Sequence, residues 1–145
     1  MLSLLFSLGD SVYAIPARSV VEVVPHVALR PLPGAPPWVC GLLAYRGRAL
    51  PVVDLARKLF GAPCESSRLS SRIVVVEAQD ARRFGVLTER VSDVRRISLE
   101  DSTPTELDRE RHVSATVLEH GQMIQVLDVS AILPSDRAPQ PAPEV

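Results

Sequence analysis

Aromatic residues are scarce in this chain: Phe, Tyr and Trp make up 4% of its 145 residues. Proteins that grip single-stranded nucleic acid stack bases on aromatic faces, and so few aromatics leave little for such a platform. An excess of charge of one sign is also missing. Sixteen Lys and Arg face 17 Asp and Glu, a formal net charge of −1, which is no electrostatic footprint for nucleic acid or an anionic membrane. Arg82-Arg83 and Arg95-Arg96 are the only local hints of one, so a nucleic-acid-binding β-barrel stays a remote alternative. Cysteine is limited to Cys40 and Cys64, and histidine to His26, His112 and His120, with no zinc spacing among them. The thiols read as reduced, since nothing suggests a secretory setting; a disulfide is the less supported alternative. No apolar run approaches the ~18–20 residues of a membrane span. The opening MLSLLFSLGD lacks a positive region and a cleavage site, and breaks at Gly9-Asp10, so it reads as a strand and not a signal peptide. Gly-rich phosphate loops and Ser/His/Asp arrangements are absent as well. The expectation is a cytoplasmic protein that is not an enzyme and has no metal or cofactor.

What is present is aliphatic and repetitive. Hydrophobic residues are 46% of the chain, mostly Val, Leu, Ala and Ile, the composition of a sheet protein. A chain of this length buries roughly 70% of its unfolded surface, enough for a real core. The stretch GLLAYRGRALPVVDLARKLFG at 41–61 reads as strand, tight turn, strand and short helix. The pattern returns 74 residues later as ATVLEHGQMIQVLDVSAILP at 115–134, with Gly47 over Gly121, Val52 over Val126, Asp54 over Asp128 and Leu59 over Leu133. YAIPARSVVEV at 13–23 similarly lies over GVLTERVSDV at 85–94, with Glu22 facing Asp93. Two similar β units fused into one body suit a binding scaffold better than a one-site enzyme.

Alternation and turn residues predict strands at 2–8, 12–15, 20–24, 39–45, 48–53, 72–77, 83–88, 91–97, 113–118 and 122–127. Residues 25–37 are proline-rich and predict a semi-rigid extended connection. Pro51 has no N–H for a ladder and should face an edge or a bulge. Asp54 and Asp128 each stand where a short helix needs an N-cap, which accounts for both without a catalytic pair. Gly61 and Pro134 end those helices. Residues 62–70 and 98–112 read as loops, and 135–145 as a disordered tail. About five short strands per half close into a small barrel and remove exposed edges. The expected fold is mainly β, two small barrels packed in one domain over residues 1–134.

The 41–61 stretch resembles the CheW family of chemotaxis coupling proteins, whose block reads G-V-I-N-L-R-G-x-V-V-P-V-I-D-L before a short helix and Gly. Gly41, Arg46, Gly47, Pro51, Val52, Asp54 and Leu55 match. The likeness extends to FSLGDSVYAIPARSVVEVV at 6–24, RIVVVEAQDARRFGVLTERVSDVRRI at 72–97 and EHGQMIQVLDVSAIL at 119–133, so it spans nearly residues 2–133. It implies two intertwined five-stranded barrels of the Src-homology-3 type. It also implies a free-standing, non-catalytic adaptor that joins a methyl-accepting chemoreceptor to the histidine kinase CheA, recruited to membrane-associated receptor arrays without inserting in the membrane. Swimming chemotaxis and a pilus-motility or surface-sensing pathway both remain open.

On the same resemblance, Val20, Glu22, Gly41 and Arg46 would meet the receptor's helical tip. Leu4, Ala17 and Arg18 would lie on a surface that meets the CheW-like regulatory domain of CheA. Val20 and Glu22, two residues apart, should share one strand face. Gly41 would let a partner backbone come close, although a strand bend explains it equally. The family usually carries Asn then Leu before Arg-Gly; here Ala44 and Tyr45 stand there, which leaves the identity of the receptor open. Tyr45 is expected on the strand face opposite Arg46.

Overall fold

The computed structural model describes residues 1–62, 69–100, 102–104 and 111–134. Cys64 and the 135–145 tail lie outside them. The chain starts with the hairpin β1 (Leu2–Leu8) and β2 (Ser11–Pro16), followed by a 3-10 turn at Ala17–Ser19 and β3 (Val20–Pro25). Next come the hairpin β4 (Val39–Tyr45) and β5 (Arg48–Asp54), then α1 (Leu55–Phe60). The second half repeats this order with β6 (Arg72–Glu77), β7 (Arg83–Thr88) and β8 (Arg90–Arg96). A two-residue β9 (Thr103–Pro104) precedes β10 (Val113–Glu119), β11 (Gln122–Leu127) and α2 (Val129–Ile132). β9 falls in a segment read as loop; a pairing of two residues has no periodicity to reveal it.

The strands form two sheets, in the orders β8-β1-β2-β11-β10-β9 and β3-β6-β7-β5-β4. Each half gives a pair of strands to the other half's sheet: β6 and β7 lie between β3 and β5, and β1 and β2 lie between β8 and β11. Each sheet also has one parallel pair at the matching place, Val126 beside Ala14 and Val52 beside Gly85. The barrels are therefore intertwined.

Three cores follow from strand alternation. Leu4, Phe6 and Leu8 of β1 pack with Val74 and Val76 of β6 in the seam between the sheets. Leu5, Ala14, Val117, Ile124 and Val126 fill one barrel, while Leu43, Tyr45, Leu50, Val52, Ile73 and Val75 fill the other. Residues 73–76 are thus buried on both faces, which is why IVVV is a continuous apolar run.

The repeat extends to single hydrogen bonds. Asp54 accepts from Arg57 N (3.2 Å) and Asp128 from Ser130 N (3.1 Å), as N-caps do. The Asp54 N–H donates to Trp38 O and the Asp128 N–H to His112 O, each 2.8 Å and each 74 residues from its counterpart. β4 and β10 bulge at Cys40 and Ser114, where the pairing register shifts. Cys40 Sγ and Ser114 Oγ then donate to the carbonyls of Val52 and Val126, at 3.4 and 3.3 Å. Gly61 ends α1 in the left-handed conformation (φ 78°). Pro51 opposes Leu42, whose own N–H and C=O bond to Arg30 on the other side. Pro51's missing N–H therefore faces away from β4, one residue before the pairing with β7 begins.

Candidate partner-docking site

β3 and β4 are the two edges of the five-stranded sheet. A polar cluster joins them at the barrel mouth. Glu22 of β3 accepts with one oxygen, Oε1, from both the Tyr45 hydroxyl (2.6 Å) and Arg46 Nη2 (2.8 Å). The Arg46 guanidinium also lies 5.1 Å from the centroid of the Tyr45 ring, a cation–π distance. The Arg46 side chain is 70% exposed and that of Glu22 39%. The hydrogen bond to Glu22, with a smaller contribution from burial, pushes the Tyr45 phenol above its ordinary value of 10.0, and the Arg46 charge opposes this.

Two local features build this arrangement. Arg46 (φ 47°) and Gly47 (φ 80°) are both left-handed, the pattern of a tight hairpin turn that follows sheet twist. That conformation carries Arg46 back over Tyr45, so the two side chains converge and do not point to opposite faces, as plain strand alternation suggests. The second feature is a bulge in β3: Val20 pairs with Val76 and Glu22 with Val75, leaving Val21 as an extra residue. Bulges re-aim side chains. Val20 packs against the seam core, while Glu22 reaches the barrel mouth. The expected single face bearing Val20 and Glu22 is therefore broken.

One further expectation is corrected. Leu4 is 5% exposed and belongs to the seam core, so it is no surface residue. Gly41 is buried, and the backbone that approaches it belongs to its own chain. A Cβ built there would lie 2.7 Å from Arg30 O and 2.9 Å from Leu29 Cβ. The proline-rich connection runs along this edge, and Arg30 and Leu42 exchange two backbone hydrogen bonds (2.7 and 3.0 Å).

Ala17 and Arg18 occupy the 3-10 turn where the chain crosses from one sheet to the other, with Ala17 half-buried and Arg18 exposed. Arg18 shares a cavity with Ser114, Val126 and Asp128 of the other sheet's hairpin, and neither Ala17 nor Arg18 takes part in the Glu22, Tyr45 and Arg46 hydrogen bonds. Of the basic pairs, Arg82 meets Asp80 (2.7 Å), Arg83 meets Glu77 (2.9 Å) and Arg95 meets Glu119 (2.6 Å). Three of the four arginines are thus matched by carboxylates. Among the described residues, no helix is long and apolar enough to cross a membrane.

The family described as CheW-like domain matches residues 3–137. The chemotaxis protein CheW of Rhizobium meliloti (strain 1021) is 30% identical over 135 residues, covering 90% of this chain and 86% of that protein. Protein FrzA of Myxococcus xanthus is 30% identical over 138 residues, covering 91% and 84%. The crystal structure of the scaffolding protein TtCheW from Thermoanaerobacter tengcongensis matches with a TM-score of 0.82 at 25% identity, over 93% of this chain and 88% of that one. The match takes in both sheets and both repeated hairpins, and the chain belongs to the CheW family of chemotaxis coupling proteins.

Proposed function

We propose that the chain is a non-catalytic adaptor that couples methyl-accepting chemoreceptors to the histidine kinase CheA. The nearly full-length likeness to a scaffolding protein carries this reading. On this reading two surfaces are used. Arg46 and Glu22, with Val20 nearby, would receive the receptor's cytoplasmic helical tip. Arg46 suits the task because a guanidinium presents several directed donors to a carboxylate or carbonyl partner. Ala17 and Arg18 would meet the CheW-like regulatory domain of CheA, with Leu4 acting only from below, through a strand that touches this turn. The adaptor would be recruited to receptor arrays at the membrane through these contacts alone.

Coupling of this kind is positional. The adaptor holds the kinase beside the receptor tip, and a differential contact energy of about 1–3 kcal/mol is enough to bias the kinase between states. The test is a pull-down of purified protein with the kinase regulatory domain and, separately, with a receptor tip fragment. Arg46→Glu is expected to lose the tip and keep the kinase domain, and Ala17→Asp to do the reverse. Retention of both partners by both variants, in folded protein, would discard the two-surface reading.

A further inference from the structure

We propose that Tyr45 is a positioning residue whose hydroxyl orders the Arg46 guanidinium through Glu22, and thereby sets how tightly an acceptor on a partner is bound. The proposal rests on the reading of Arg46 as a docking residue. Tyr45 is 8% exposed and its ring packs among Leu43, Leu50 and Val52 inside the barrel. Its hydroxyl is therefore a fixed point at the barrel mouth. Glu22 and Arg46 have long side chains at the surface, Arg46 the more exposed of the two, and a solvent-accessible pair left to itself orders little because holding it costs side-chain entropy. A phenol anchored in the core and bonded at 2.6 Å to the shared Oε1 supplies the missing rigidity. The ring face beneath the guanidinium restricts it a second time.

The fold itself does not require this phenol. In the repeated hairpin, Glu119 and His120 stand where Tyr45 and Arg46 stand, and that barrel closes through Arg95 and Glu119 with no hydroxyl. Tyr45 is thus an addition to the first hairpin, at the hairpin that carries the exposed arginine. With Nη2 engaged by Glu22, the donors left on Arg46 suit an acceptor, and a carboxylate on a helical tip fits best.

The deciding variant is Tyr45→Phe, which keeps the ring in the core and removes only the O–H. Two quantities are measured: the order of the Arg46 side chain, by NMR relaxation at Nε in the free protein, and the affinities for a receptor tip fragment and for the kinase regulatory domain. Tyr45→Phe is expected to loosen Arg46, to weaken tip binding about tenfold, as loss of a hydrogen bond to a charged group does, and to leave kinase-domain binding unchanged. In a Glu22→Ala background the same change should add nothing, because the hydroxyl acts through Glu22. Unchanged Arg46 order, or unchanged tip affinity with a loosened Arg46, would overturn the proposal. If instead the wild type and Arg46→Ala bind the tip equally, it is the docking reading that fails, and the relaxation measurement still decides whether Tyr45 orders Arg46.

Discussion

Arg95 Nη1 lies 2.6 Å from Glu119 Oε1 and ties the edge strand β8 to the far hairpin of the six-stranded sheet. Glu22 and Arg46 make the corresponding tie in the five-stranded sheet with the charges exchanged: there the acid is on the edge strand and the base on the hairpin. Each sheet is thus tied by an edge strand and a hairpin of the same half, with two strands of the other half between them.

This clasp makes stability depend on pH. The hydrogen bond from Arg95, and next that from the Ser98 N–H, hold the Glu119 carboxyl below its ordinary value of 4.5. A carboxyl depressed by folding contributes stability that is fully present above the ordinary value and is lost as pH falls through the folded one. Glu119→Gln removes this contribution. Thermal melts from neutral to acidic pH should show wild type above the variant at neutral pH, with the gap closing below about pH 4.5. A gap independent of pH would show that the pair does not stabilise the barrel.

Gly41→Ala is expected to be strongly destabilising. Its φ of 145° is disfavoured for any side chain, and the new Cβ would strike the Arg30 carbonyl and Leu29. Backbone strain and overpacking together should cost roughly 2–4 kcal/mol in chemical denaturation. Wild-type stability in the variant would mean that the proline-rich connection can leave the β4 edge freely.

Asp54→Ala tests the reading of the two aspartates as caps. Loss of the bond to Arg57 N should cost about 1–2 kcal/mol of stability while partner binding at Arg46 is kept. Asp128→Ala, at an exposed cap, should cost less. Loss of partner binding with stability unchanged would contradict the capping role.

Much of this architecture is legible in the chain. The hairpins show in alternation and in the Arg46-Gly47 and His120-Gly121 turns, the helices in their aspartate caps, and the two-unit plan in the 74-residue repeat. The crossings from one sheet to the other at β3 and β8 are not legible, because a strand's own residues do not name its neighbour. Nor are the bulges at Val21 and Cys40, each a single extra residue that shifts register without altering composition. The bulge at Val21 separates Val20 from Glu22. Leu4 is placed at a surface by the resemblance alone, and because β1 is buried on both faces along Ser3–Phe6, alternation gives no sign against it. Tyr45 is misplaced because the left-handed Arg46 ends the strand alternation one residue early.

The most direct test of the account is co-sedimentation of the kinase with receptor-bearing vesicles, with and without this protein. The account predicts that CheA pellets with the vesicles when the wild-type protein is present, and stays in solution when it is absent or carries Arg46→Glu. Kinase recruitment that is equal with and without the protein would contradict the coupling role.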